Sequence, residues 1–172
     1  MTRRRQVFPQ LAYGSGVNCD VVTPIDGLYL NFAVICEKVL READDVLSFI
    51  RIVDQLTVTI MTPPGADAPP ELSSAPLAAL TFVIGLKSAG YTGPVPVKLW
   101  VETPTGLRLP EYETRQQIGG VDRGLNLIFP MQFPVQDEGV YWFAVEVSGD
   151  VVTRVPLRIS KQIVPQAVSP QG

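Results

Sequence analysis

The sequence contains no histidine. Without it, serine–histidine–aspartate and cysteine–histidine catalysis have no base, and most zinc and haem sites lose a usual ligand. The two cysteines, Cys19 and Cys36, are not spaced as paired zinc ligands. Cys36 lies in an apolar run, which favours a buried reduced thiol and an intracellular protein. A Cys19–Cys36 disulfide is the less favoured alternative.

Positive charge is also scarce. Lysine and arginine number 14 against 17 acidic residues, so the net charge is −3. Because phosphate neutralisation drives nucleic-acid binding, no nucleic-acid partner is expected. The only basic cluster is Arg3, Arg4 and Arg5, which we interpret either as a short arm that contacts an acidic partner or, with more weight, as a solvated terminus.

Long hydrophobic runs are missing as well. The three arginines are not followed by the apolar stretch of an export signal. The longest apolar run, from Leu77 to Leu86, is far shorter than the roughly 20 residues of a membrane-spanning helix. We therefore expect no membrane partner and a cytoplasmic location, or a virion if the gene belongs to a phage.

What the sequence has is a series of short alternating apolar segments punctuated by 16 prolines and 14 glycines. This spacing is typical of a β-sandwich or barrel. The predicted organisation is an N-terminal arm over 1–27, a sandwich domain over 28–160 and a C-terminal tail over 161–172. The predicted strands are 28–40, 77–87, 95–102, 125–133, 139–147 and 151–159, with a mixed region over 107–124.

The first strand is clearly predicted, whereas the stretch that follows it allows two interpretations. In the first strand, alternation places Leu30, Phe32, Val34 and Cys36 on one face. The stretch 39–60 carries apolar residues at helical spacing but is also rich in β-branched residues. We favour two strand segments with a bend near Asp54 and Gln55, and a helix is the alternative.

The segment Asp137-Glu138-Gly139-Val140-Tyr141-Trp142-Phe143 resembles the tyrosine corner of immunoglobulin-like domains. The resemblance covers about 77–159. It implies an all-β, immunoglobulin-like Greek-key β-sandwich in which Asp137, Gly139 and Tyr141 form a structural corner. Together with the chain pattern, this predicts such a sandwich with N- and C-terminal arms. The segments around Phe32–Glu37 and Gly139–Leu157 are also similar to small uncharacterised bacterial and phage proteins.

The same resemblance has two departures. Phe143 stands where antibody domains carry a cysteine, so no inter-sheet disulfide is implied. Trp100 lies on the strand where such domains often bury a tryptophan, but alternation places it opposite Val97 and Leu99.

Candidate catalytic chemistry is limited to carboxylates. Five acidic residues cluster in the sequence: Glu37, Glu42, Asp44, Asp45 and Asp54. Such a cluster could form a calcium site or a glycosidase pair. Because it lacks the alternating ligands and the central glycine of a calcium loop, a solvated turn is favoured. The glycine-rich stretch 119–124 lacks the lysine of a phosphate loop. We expect no enzyme, no metal and no cofactor.

Trp142 is the remaining candidate. If Tyr141 points inward, Trp142 points outward, where the chain's own arm, a partner or a sugar would cover it. We predict a non-enzymatic structural, assembly or protein-interaction module with a protein partner or self-association, for instance a capsid decoration or tail accessory of a virion. The alternative is a carbohydrate- or peptide-binding sandwich. A small-molecule ligand is not favoured.

Overall fold

The computed structural model describes residues 27–44, 46–62, 75–119 and 124–165. These ranges contain β-strands and no helix. In chain order the strands are β1 (Leu28–Arg41), β2 (Leu47–Ile52), β3 (Gln55–Thr62), β4 (Leu77–Ser88), β5 (Gly93–Glu102), β6 (Tyr112–Ile118), β7 (Gly124–Pro134), β8 (Gly139–Val147) and β9 (Asp150–Pro165).

The strands form a four-stranded sheet in the order β2-β1-β4-β7 and a five-stranded sheet in the order β3-β9-β8-β5-β6. Neighbours are antiparallel, apart from the parallel pair β3–β9. The chain changes sheets between β2 and β3, β3 and β4, β4 and β5, β6 and β7, and β7 and β8. The fold is thus an immunoglobulin-like β-sandwich, as predicted. No helix in the described ranges has the length and apolarity to cross a membrane.

Side-chain alternation builds the core between the sheets. In β8, Tyr141, Phe143, Val145 and Val147 are buried on the inner face, as the sequence pattern predicts. The ring of Phe143 stacks on that of Phe82 from β4, with the centroids 5.7 Å apart. The two sheets therefore meet through aromatic side chains at the centre of the sandwich.

The predicted faces of β1 are wrong beyond Leu30. The ladder with β4 shifts register between Leu30 and Phe32, so the alternation changes face there. Leu28 and Ile35 belong to the core, whereas Phe32 lies over Gly85 on the outer surface of the sheet. A single bulge residue is enough to invert the alternation, and the apolar pattern alone does not show it.

The stretch 39–60 forms strands, which excludes the helical alternative. Its first residues complete β1, and β2 and β3 follow, with the break at Val53 and Asp54. The backbone of Arg51 adopts a left-handed φ of 51° just before this break.

The last strand is longer than predicted. The sequence pattern indicates an end at Ile159 and a tail from Lys161, whereas β9 continues to Pro165. Its final residues pair in parallel with β3, from Gln55↔Arg158 to Thr62↔Pro165. A pairing between segments this distant in sequence leaves no local signal. Residues 1–26 of the predicted arm over 1–27, and residues 166–172 of the predicted tail over 161–172, lie outside the described residues.

Candidate functional site

Trp142 lies on the outer face of the five-stranded sheet. In the middle strand β8, it pairs with Glu102 of β5 on one side and with Pro156 of β9 on the other. Directly paired residues share a face, so these three side chains form one row across the sheet. The Trp142 side chain is 39% exposed. The predicted outward direction of Trp142 therefore holds in the described structure.

A second tryptophan occupies the neighbouring row. Trp100 of β5 pairs with Ala144, which in turn pairs with Arg154 of β9. Although Trp100 also lies on the outer face, it is only 3% exposed. The guanidinium carbon of Arg108 lies 3.9 Å from its ring centroid, a cation–π arrangement. Its indole Nε1 donates a hydrogen bond to Glu102 Oε1 at 3.0 Å. Trp100 is thus covered by the chain itself.

A turn brings Arg108 back over the sheet. Gly106 N donates to the carbonyl of Thr103 at 2.9 Å, and the φ of Gly106 is 83°, a conformation that favours glycine. Beyond the turn, Leu109 N donates to the carbonyl of Val101 at 2.8 Å, which holds the returning segment against β5. The turn at Thr103–Gly106 is predictable from sequence, but its consequence for Arg108 is not.

Charged side chains border the two tryptophans. Arg154 donates to Glu102 Oε2 at 3.3 Å, and Arg108 pairs with Glu111 at 2.6 Å. Such exposed pairs add little stability individually. The pair with Arg154 helps to orient Glu102, which accepts hydrogen bonds from both Trp100 and Arg154. Trp142 differs, because no hydrogen bond or cation contact to its ring occurs among the described residues.

The start of β8 is anchored by the predicted corner residues. The hydroxyl of the fully buried Tyr141 donates to the carbonyl of Asp137 at 3.0 Å and accepts a longer bond of 3.4 Å from its N–H. Gly139 has a φ of 138°, and a Cβ there would lie 2.9 Å from Cβ of Pro104. Glycine is therefore required both by the backbone and by the neighbouring turn.

Tyr141→Phe is expected to lower the free energy of unfolding by about 1 kcal/mol, because the part-buried carbonyl of Asp137 loses its hydrogen-bond donor. Burial raises the pKa of the Tyr141 phenol, and its backbone hydrogen bond to Asp137 opposes that effect. The pKa of this phenol is therefore higher in the folded chain than in the unfolded chain, where it is about 10. Below pH about 10 the folded state keeps its full stability, and it loses stability as the pH rises through the folded-state pKa.

Urea unfolding of both chains at neutral and alkaline pH measures this difference. The wild type should lose more stability than the Tyr141→Phe variant above about pH 10. Equal stability of the two chains at neutral pH would show that the hydroxyl contact does not stabilise the fold.

The other predicted site residues are dispersed. Glu37 forms an ion pair with Arg51 at 3.1 Å, Glu42 accepts from Ser48 Oγ at 2.7 Å, and Asp44 Oδ1 accepts from Val46 N at 3.3 Å. These are turn and edge contacts. Within the described ranges no group of three acidic, histidine or cysteine side chains could hold a metal ion. Arg3, Arg4, Arg5 and Asp45 lie outside the described residues.

A shallow groove of about 440 Å³ is lined mainly by residues of β4 and β7. Glu37 is its one ionisable carboxylate, and Tyr112, Thr81 and Gln132 contribute its other polar groups. A single carboxylate without a second acid or base does not make an acid–base pair. Cys36, next to Glu37 in the chain, is a buried free thiol, and burial raises its pKa, which makes it a poor nucleophile.

The fold and this outer face define an immunoglobulin-like domain with one partly exposed tryptophan, Trp142, on the five-stranded sheet. No family model and no curated protein matches the sequence. Among solved structures, the C-terminal domain of Wzt is similar, with 13% identity, a TM-score of 0.44, and coverage of 79% of this chain and 75% of that one.

Two further structures are similar. The CARDB domain of the PF1109 protein from Pyrococcus furiosus, solved in complex with di-metal ions, has 9% identity and a TM-score of 0.38. The match covers 84% of this chain and 100% of that one. An immunoglobulin-like protein from Pseudomonas aeruginosa, PA1606, has 14% identity and a TM-score of 0.34. The match covers 77% of this chain and 96% of that one. Likenesses at this level concern the fold and say nothing about what this chain binds.

Proposed function

We propose that the chain is a non-catalytic protein-interaction module whose binding surface is centred on Trp142. The observation that carries this proposal is the contrast between the two tryptophans on one sheet face. Trp100 is covered by Arg108 and bonded to Glu102, whereas Trp142 is 39% exposed. Tryptophan and arginine are the residue types that contribute most to binding at protein interfaces.

The surroundings of Trp142 suit a protein partner. Pro156 extends the apolar surface on one side, and Arg158, paired with Val140, and Arg154 add exposed positive charge. Glu102 supplies negative charge beside them. An apolar centre with a polar border is the usual anatomy of a protein interface.

The rigidity of this surface supports the proposal. We infer that Asp137, Gly139 and Tyr141 form a tyrosine corner, on the strength of the hydroxyl bond to the Asp137 carbonyl. This corner fixes the start of β8 at Gly139, three residues before Trp142. An anchor residue held on a central strand loses little conformational freedom when a partner binds.

Photo-crosslinking tests the proposal. A photoreactive phenylalanine derivative replaces Pro156, the exposed residue paired with Trp142, in the full-length chain, which is irradiated in an extract of the source cells. Tyr112 provides the control position, because it is 39% exposed, as Trp142 is, and lies on the same sheet. We expect a discrete protein adduct from position 156 alone, reduced by excess wild-type chain but not by excess Trp142→Ala chain. Competition by the alanine variant equal to that of the wild type would reject Trp142 as the anchor.

Two other results would each identify a particular class of partner. Assembly on a virion, as a capsid decoration or tail component, is the finer form of this proposal, and the adduct would then contain a capsid or tail protein. Carbohydrate binding is the second candidate function, favoured by the exposed indole ring beside Glu102 and Arg154. Glycan binding that is lost in Trp142→Ala and kept in Tyr112→Ala would replace the protein partner with a sugar.

A further inference from the structure

The strand β3 forms one edge of the five-stranded sheet and is separated by β9 from the strand that carries Trp142. Its pairing with β9 begins at Gln55↔Arg158 and ends at Thr62↔Pro165. The ladder between β9 and β8, however, stops at Gly139↔Ile159. Beyond that point, residues 57–62 and 160–165 pair only with each other within the described part of the chain. They form a two-stranded parallel ribbon that extends past the rest of the sheet.

Such a ribbon is unusual on its own. Parallel strands are normally covered on both faces, and an isolated pair of strands is marginally stable in water. Alternation places Leu56, Val58 and Ile60 of β3 on the face shared with Ile159 and Ile163. Along this face exposure rises from Ile159, at 1%, to Ile163, at 52%. The inner surface of the sandwich thus continues into the ribbon and becomes exposed towards its tip.

The outer edge of β3, which pairs with no other strand of the described ranges, also lacks the features that normally prevent strand addition. Natural edge strands carry charges, prolines or irregular backbone. Of the other edge strands, β2 has Arg51 with its left-handed φ, β6 has charged residues, and β7 has Pro130. The eight residues of β3, Gln55–Thr62, include no charged residue, no proline and no glycine. β3 is therefore the described edge best suited to pair with another strand.

We propose that β3 pairs antiparallel with β3 of a second copy of this chain, so that the two five-stranded sheets join across a two-fold axis. Charge is the reason for choosing a second copy. Each chain carries a net charge of −3, so most identical surfaces would meet with repulsion, whereas the uncharged β3 edges can approach without it.

The cross-strand contacts suit an identical partner as well. Thr57 and Thr59 are exposed, and Thr57 already shares a hydrogen bond with Ser160 at 3.2 Å. Threonines facing threonines across an antiparallel pair are favourable. Eight residues span about 27 Å, so one strand pair makes a small interface, and we expect dissociation in the micromolar range. This interface is separate from the Trp142 surface, and either can fail without the other.

Analytical ultracentrifugation of the full-length chain over a dilution series tests the proposal. Thr59→Lys places like charges along the joined edges and should weaken dimerisation about tenfold or more. Gln117→Lys is the matched control, because it adds the same charge on the exposed opposite edge strand β6 and should leave the dimer unchanged. Trp142→Ala should also leave it unchanged.

Hydrogen exchange gives a second readout that does not depend on a variant. The β3 amides that point away from β9 should be protected at high concentration and lose protection on dilution and in Thr59→Lys, whose unfolding midpoint should match that of the wild type. The alternate β3 amides, which face β9, serve as the internal reference. The proposal is overturned by a wild-type chain that stays monomeric at the highest concentration. It is equally overturned by a dimer that tolerates Thr59→Lys, or by protection of the outward-pointing β3 amides in the monomer, which would place another segment of the same chain on this edge.

Discussion

Trp100→Ala is expected to lower the free energy of unfolding by about 3 kcal/mol, the largest loss among the substitutions considered. The side chain is 3% exposed, so its removal leaves a cavity beneath the segment that carries Arg108. The same change leaves Glu102 without the indole donor and Arg108 without its ring. Denaturant unfolding followed by circular dichroism measures the loss.

Trp142→Ala is the matched control for this prediction. It removes the same side chain from the same sheet face, but at a site that is 39% exposed, and we expect a smaller loss, of about 1–2 kcal/mol. Arg108→Ala should also cost about 1 kcal/mol, the size of an exposed cation–π contact. Similar losses from the two tryptophan variants would contradict the assignment of Trp100 to structure and Trp142 to binding.

The two variants also separate stability from function. If Trp142 is the anchor of an interface, its alanine variant should stay folded under the conditions of the competition experiment and yet fail to compete for the partner. Loss of competition without loss of folding would assign the exposed part of the Trp142 ring to binding.

Much of the fold follows from local sequence. The alternation of Tyr141, Phe143, Val145 and Val147 predicts both the strand β8 and its buried face, and it places Trp142 outward. Turns rich in proline and glycine separate the strands, so their approximate bounds are predictable too. These features depend on residues close together in the chain, where the physical preferences of each residue act directly.

Features that depend on distant contacts were not predictable. The cover over Trp100 requires the turn after β5 to return Arg108 to the sheet, and no spacing in the sequence indicates which arginine does so. The parallel pairing of β3 with β9 extends the last strand past its expected end. In each case the deciding interaction joins segments whose meeting is set by the topology.

The bulge in β1 is the clearest example. It reverses the alternation after Leu30 and turns the ring of Phe32 away from the core and onto Gly85 of β4. There the Phe32 ring also contacts Phe49, with the centroids 5.4 Å apart. A glycine in the middle of an otherwise apolar strand is a weak position for sheet stability unless another group fills the space above it. Phe32 fills that space.

Gly85→Ala is therefore expected to destabilise the protein by about 2 kcal/mol, although alanine is usually preferred over glycine in a strand. A Cβ at Gly85 would lie 2.3 Å from Cε1 of Phe32, and the contact with Phe49 limits how far that ring can move. Gly119→Ala is the control, because its Cβ would meet no atom of the described residues within 4 Å, and we expect almost no change.

A double-mutant cycle identifies the cause. In a Phe32→Ala background the ring is gone, so Gly85→Ala should become neutral or slightly stabilising, with a coupling free energy of about 2 kcal/mol between the two positions. Chemical denaturation of the four chains provides the values. If Gly85→Ala costs the same with and without the ring, the backbone of β4 itself requires glycine. The outward position of Phe32, and with it the inversion of β1 at the bulge, would then lose its support.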